Sequence, residues 1–286
     1  MWDFLWQPAG FDIGETGLLT HDASQPLWWA LTVGLANTLR VALPGLVLCT
    51  VLALGVALLR RHGPGAWGAM ATGYIEVIRN VPLLLQLLIW YFLIIEVLPD
   101  STEAVLLVPG VWLSKGGLAI PWPELAAAGG LHWSMPEQGP FNVSGGAALS
   151  PEYLALLAAL SVYTSAFLAE VIRSGLDAVS PSLLEAADTL GATRWQQITQ
   201  VLLPQAWRSV VPGATNQYLN LIKNSSLAVA IGYPDLVSVG NTTINQTGQV
   251  LACVGIMMAT YLSLSLMAAA LMNWFNQRHA LKGSAQ

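Results

Sequence analysis

Three groups of side chains in this sequence could do chemistry. Glu76, Arg79 and Asn80 stand just ahead of Val81-Pro82, with Gln86 one turn beyond. Tyr163, Thr164, Ser165 and Glu170 lead into Arg173. Asn216, Gln217, Asn220, Lys223, Asn224, Ser225 and Ser226 share a third stretch. All lie in or beside long apolar runs, where ionisable groups are costly and face a bundle interior or a water-filled path. What they offer is recognition of a small polar solute. For a zwitterion, Glu170 suits the ammonium, and Lys223 or free amides suit the carboxylate.

Each group also has a purely structural use. Glu76 and Arg79 are three apart on one helix face and can pair with each other, as can Glu170 and Arg173. The hydroxyls of Tyr163, Thr164 and Ser165 can bond backbone carbonyls. Pro82 lacks a backbone donor and distorts a helix, which frees carbonyls near Asn80 for a ligand. Lys223 lies about 22 Å beyond Arg208 along a helix, deep for a lipid-facing cation. Four amides and a lysine on one span point to pore lining or to contact with a second chain.

Other chemistries are excluded. His21, His62, His132 and His279 fall at unrelated spacings in loops and termini, so no nucleophile–base set or metal site forms. Cys49 and Cys253 are two small residues inside apolar runs, with no disulfide or metal spacing. No G-x-x-x-x-G-K-[ST] occurs, so the chain has no phosphate-binding loop. It is not an enzyme, no cofactor is expected on it, and energy must come from another polypeptide.

The elements that position these groups are set by composition. The 286 residues are 55% hydrophobic and 9% charged, against about 25% charged in a soluble domain. This is a membrane protein. A bilayer core needs roughly 20 apolar residues per helix, which predicts five spans at 27–59, 66–96, 151–173, 208–232 and 249–275. The absence of Lys or Arg before Arg40 argues against a cleaved signal, so the first run is expected to stay as an anchor.

Basic residues set the orientation. Arg60, Arg61, Arg173, Arg194, Arg208, Arg278 and Lys282 flank one side of the spans. Segments 1–26 and 97–150 carry only Lys115 against eight acidic residues, nine with Glu96. The expectation is an all-α polytopic protein with segment 1–26 outside, a transmembrane domain at 27–275 and a cytoplasmic tail at 276–286. Segment 97–150 reads as an external loop of short pieces, with Trp112, Trp122 and Trp133 at the membrane interface. Its run 104–113 is too short to span.

One polar element interrupts this pattern, EAADTLGATRWQQITQVLLPQAW at 185–207. Leu183, Ala187, Leu190, Ile198, Val201 and Leu202 recur at helical spacing. Ser182-Leu-Leu-Glu185 and Thr193-Arg-Trp-Gln196 each fit a capping box, and Gly191 between them suits a left-handed helix end. With one Arg and two acids, this element is a poor lipid-surface helix and a better docking site for a protein.

Glu185-Ala-Ala, Gly191 six residues later and Leu203-Pro204 twelve beyond that resemble the EAA loop of ABC importer permeases. The stretches 74–86, 163–173, 223–236, 113–121 and 240–248 are similar to the polar and general L-amino-acid branch, so that the resemblance covers about 30–275. It implies a coupling helix between spans three and four, with Ser182, Glu185, Ala186, Ala187, Asp188, Leu190 and Gly191 meeting the ATPase. It implies Asn80, Pro82, Gln86, Tyr163, Thr164, Glu170, Asn220, Lys223, Asn224 and Ser225 along the path of a polar L-amino acid. The implied partners are a second permease, related or identical, two ATP-binding subunits that hold ATP and Mg, and an external binding protein, in a bacterial inner membrane. Two features depart from the family: Ser182-Leu183 stands where many relatives have Gly-Gln, and the extra membrane segments common in this branch between spans two and three are missing. The competing class is an ion-gradient-driven transporter or channel, whose repeats find no matching halves here.

Overall fold

The protein is described by a computed structural model covering residues 2–17, 19–125 and 130–280. Residues 281–286 of the expected tail, Lys282 included, lie outside the described residues.

The helices follow the apolar runs. Helix α1 spans Leu27–His62 and α2 spans Ala66–Asn80, while α3 covers Leu83–Val97 and α4 Pro151–Asp177. Helix α5 is Pro181–Thr189 and α6 is Arg194–Gln196; a π turn at Gln197–Leu202 then leads into α7, Leu203–Asn224. A 3-10 segment, Ser225–Ile231, precedes α8, Leu236–Thr247, and α9, Val250–Ala280.

The expected continuous span 66–96 is two helices. Val81 is extended (φ −101°, ψ 128°) and ends α2, because the residue before a proline is pushed out of the helical region. Among the described residues three helices, α1, α4 and α9, are long and apolar enough to cross a membrane, or four if α2 and α3 count as one span. The expected fourth span falls on α7 and the 3-10 segment. Its helix is continuous but too polar to pass on composition, carrying Asn216, Gln217, Asn220, Lys223 and Asn224.

The all-α expectation is also corrected. Among the described residues, 105–149 carry eight short strands. Strands β1 (Val105–Val108), β2 (Val111–Ser114), β3 (Gly117–Ile120) and β8 (Ala147–Leu149) form an antiparallel sheet in that order. Two further hairpins pair β4 (Trp122–Leu125) with β5 (Leu131–Ser134), and β6 (Glu137–Gln138) with β7 (Val143–Ser144). Pro109-Gly110 and Gly116-Gly117 are turn signals between β-branched and aromatic residues, and the run 104–113 is one hairpin. At Gly117 (φ 106°) a Cβ would stand 2.0 Å from the Leu149 carbonyl, so only glycine lets β3 meet β8.

The residues cluster into two compact units. One draws on the chain through Val41, on Leu83–Ala159 and on Ser226–Thr247. In it the N-terminal segment is a folded cap. Arg40 bonds Glu15 at 2.6 Å, Ser150 donates to Glu15, and the Arg40 guanidinium lies 5.0 Å over the Tyr153 ring. Buried Asn37 donates to the Glu15 and Pro234 carbonyls at 2.9 Å each. The second unit draws on Ala42–Pro82, Leu160–Ser225 and the chain from Gly248 on, and it holds most of the candidate site.

Candidate functional site

Helix α5 has no buried residue. Its start differs from expectation: Pro181 takes the first helical position behind Ser180, and no side-chain cap forms. Proline fits that position because its missing donor is an orphan there anyway. The Ser182 hydroxyl meets that of Ser180 at 2.7 Å instead of capping toward Glu185. The second capping box forms as read from sequence: the Gln196 amide donates to Thr193 Oγ1 and the Gln196 side chain accepts from the Thr193 amide. Gly191 ends α5 with φ 76°.

What anchors this exposed helix is a residue not singled out from sequence. Gln197 is buried, and its Nε2 donates to Asp188 Oδ1 at 2.9 Å and to the Ala192 carbonyl at 3.0 Å. One amide thereby ties α5 and its turn to the π turn. A buried amide that spends both protons this way fixes geometry, because losing either bond strands a desolvated group. Outside that tie the segment presents apolar side chains to its surroundings: Leu183, Leu190 (88% exposed) and Trp195 (73% exposed). Glu185, Ala186 and Asp188 are exposed beside them, and Ala187 is half-buried.

The second element of the site is a charged cluster in the same unit. Glu170 accepts from Arg173 at 2.6 and 3.2 Å and from Arg60. Asp177 accepts from Arg173 at 2.6 Å and from Arg61 at 3.3 Å. The Glu170–Arg173 pair was legible from spacing; Arg60 and Arg61 were not, because 110 or more residues separate them from their partners. Arg79 does not pair with Glu76. It lies 5.1 Å over the Phe167 ring, and the Phe167 ring packs tilted against that of Tyr163, 4.9 Å between centroids. Arg79, Phe167, Glu170, Ser174, Ser209 and Gln217 line a cavity of about 340 Å³. A guanidinium, a carboxylate and an amide around one space are the groups that recognise both ends of a zwitterion.

The other candidates separate. Asn80 donates to the Glu76 carbonyl at 2.7 Å, so it turns back on its own helix at the break. Pro82 is exposed and Gln86 buried. Thr164 is buried, and Ser165 bonds the Val162 carbonyl at 2.8 Å and Tyr74 at 2.7 Å. On α7, Asn216, Asn220 and Lys223 are exposed and follow one another by four and three residues, one stripe on a single face. Asn224 is half-buried, and Ser225 is buried with its hydroxyl on the Ile222 carbonyl at 2.7 Å. So Ser225 holds a helix end.

Comparison with known proteins adds to this geometry. The family described as "binding-protein-dependent transport system inner membrane component" matches residues 45–280. The chain is 35% identical over 333 aligned positions to the general L-amino acid transport system permease protein AapQ of Rhizobium johnstonii, covering 97% of this chain and 83% of that protein. It is 36% identical over 334 positions to the putative amino-acid ABC transporter permease protein YhdX of Escherichia coli, covering 97% and 85%. Among solved structures, an amino acid ABC transporter crystallised with histidines matches with a TM-score of 0.60 and 25% identity, over 87% of this chain and 94% of that one. An inward-facing MetNI methionine ABC transporter shares the fold at a TM-score of 0.58 and 19% identity, over 88% and 97%.

Proposed function

Because the chain belongs to the family of binding-protein-dependent transport system inner membrane components, and is a permease subunit of an ABC importer for amino acids, we propose that it carries polar L-amino acids inward through a path formed with a second permease. In this reading α1, the α2–α3 pair, α4, α7 and α9 make five spans, with the N-terminus outside and the C-terminus in the cytoplasm of a bacterial inner membrane. Helix α5 is the coupling helix, and two partner ATPases, which hold ATP and Mg, dock on it. An external binding protein delivers the substrate.

The observation that carries this is α5 itself. A nine-residue helix with no buried residue, edged by exposed Leu183, Leu190 and Trp195, is held to the bundle through Gln197. An exposed apolar edge on a rigidly tied helix marks an interaction site, and its lack of basic residues disfavours lipid. The polar stripe Asn216, Asn220, Lys223 supports the second half of the reading, since such a row is costly against hydrocarbon and suits a pore or a second permease. Glu170 and Arg79 supply the charges, and Gln217 the amide, that a passing amino acid can use.

Coupling then works as a two-state equilibrium biased from both faces. Closure of the ATPases moves α5, and Gln197 passes that movement to the π turn and α7. The test is reconstitution. With its ATPase and binding protein, the chain is expected to show amino-acid-stimulated ATP hydrolysis. Uptake by the chain alone, driven by an ion gradient, would overturn the reading.

A further inference from the structure

A second cavity, of about 710 Å³, lies in the same unit and is distinct from the one beside Glu170. Its walls come from α1, α4, α7, α9 and the π turn, with Leu54, Leu58, Leu168, Val211 and Leu271 among them. The deep polar groups are used up: Thr50 donates to the Leu46 carbonyl at 2.7 Å and meets the Tyr218 hydroxyl at 2.8 Å. Nothing there invites a polar ligand. Among the described residues the one charged wall residue is Arg61, eleven residues from Thr50 and so roughly 16 Å along the helix.

Arg61 is weakly held. Its bond to Asp177 is 3.3 Å, while Arg173 takes the same carboxylate at 2.6 Å. Arg60, Arg61 and Arg173 face Glu170 and Asp177, three cations against two anions. The cavity is therefore an apolar slot with an excess positive charge at one end. Leu58 and Leu271, two of its wall residues, are exposed, so a hydrocarbon chain can enter past them.

We propose that this slot binds one anionic glycerophospholipid. An acyl chain lies between Thr50–Tyr218 and Arg61, and the phosphate sits on Arg61. An uncharged or zwitterionic amphiphile would fill the slot without answering the surplus charge. An anionic head answers it, as clusters of juxtamembrane basic residues do elsewhere. The lipid would bridge α1, α4, α7 and α9 at the level of the π turn.

The test uses the full-length chain purified in mild detergent. Mass spectrometry of extracted lipid is expected to find phosphatidylglycerol enriched over phosphatidylethanolamine relative to the host membrane. Adding phosphatidylglycerol should raise Tm by a few degrees, as a ligand of the native state does, while phosphatidylethanolamine and inorganic phosphate should not. Arg61→Ala, which leaves Arg173 on Asp177, should keep its own Tm near wild type and lose the phosphatidylglycerol shift. Ala206 also lines the slot, and Ala206→Leu should narrow it and lose lipid retention. Equal shifts by both lipids, a shift by phosphate alone, or a phosphatidylglycerol shift retained in Arg61→Ala would overturn the proposal. So would a dimer in which the same substitutions break association between copies and leave lipid content unchanged.

Discussion

Gln197 donates from one nitrogen to Asp188 Oδ1 at 2.9 Å and to the Ala192 carbonyl at 3.0 Å, closing the turn around Gly191. The residue is buried although its neighbours are not. Gln197→Ala removes both bonds and leaves Asp188 and the Ala192 carbonyl without this donor, at a cost of about 1–3 kcal/mol. The expected outcome is a chain that assembles with its ATPase but hydrolyses ATP without amino-acid stimulation. Gln197→Glu should behave worse, because it sets two carboxylates against each other. Stimulated and basal hydrolysis of the reconstituted complexes check this.

Gly191 has φ 76°, and a Cβ there meets nothing within 4 Å. Any penalty for substitution is therefore backbone strain alone. Gly191→Ala should cost about 1 kcal/mol and lower Tm slightly. Gly191→Pro cannot adopt this φ and should abolish coupling. Thermal unfolding of the two variants, alongside their transport rates, separates strain from loss of the docking shape.

Much of this element was legible before any coordinates. The capping box at Thr193, Gly191 as helix end and the helical spacing are local signals, and local chemistry decided them. The start of α5 was misread because Pro181 takes the first helical position and outweighs the Ser182–Glu185 pattern. The sheet at 105–149 was missed because its strands have two to four residues, too few to show alternation. Pro109-Gly110 and Gly116-Gly117 were the available clues. Arg60 and Arg61 depend on tertiary pairing, which spacing does not reveal, and Gln197 depends on the fold-back at Gly191, which brings Asp188 from nine residues away onto its amide.

Glu170 holds Arg173 and Arg60 and borders the smaller cavity with Arg79. Glu170→Gln keeps the shape and removes the charge, leaving arginines that face one another. The expected loss is about 1–3 kcal/mol of stability with at least a tenfold fall in uptake. Arg79→Lys keeps the charge but loses the guanidinium that lies over the Phe167 ring, and is expected to weaken uptake less. Labelled amino-acid uptake into proteoliposomes, set against Tm, resolves the two effects.

Asn216, Asn220 and Lys223 form an exposed polar row on α7. If this row meets a second permease or the path between them, Asn220→Cys, combined with a cysteine at the matching position of the partner permease, should form disulfide-linked permease pairs on mild oxidation, in a manner that changes when ATP is added. Asn220→Leu should leave Tm unchanged, since its side chain is exposed, while lowering uptake. Gel mobility under non-reducing conditions reads the first outcome directly.

The central claim is that energy enters through α5. The measurement that tests it most directly is ATP-driven amino-acid uptake by proteoliposomes holding the chain with its partner permease, ATPase and binding protein, comparing wild type with Glu185→Lys. Glu185 is exposed, so the substitution should leave the fold and Tm intact. The predicted result is loss of uptake together with weakened binding of the ATPase. Uptake at the wild-type rate with the ATPase still bound would contradict it.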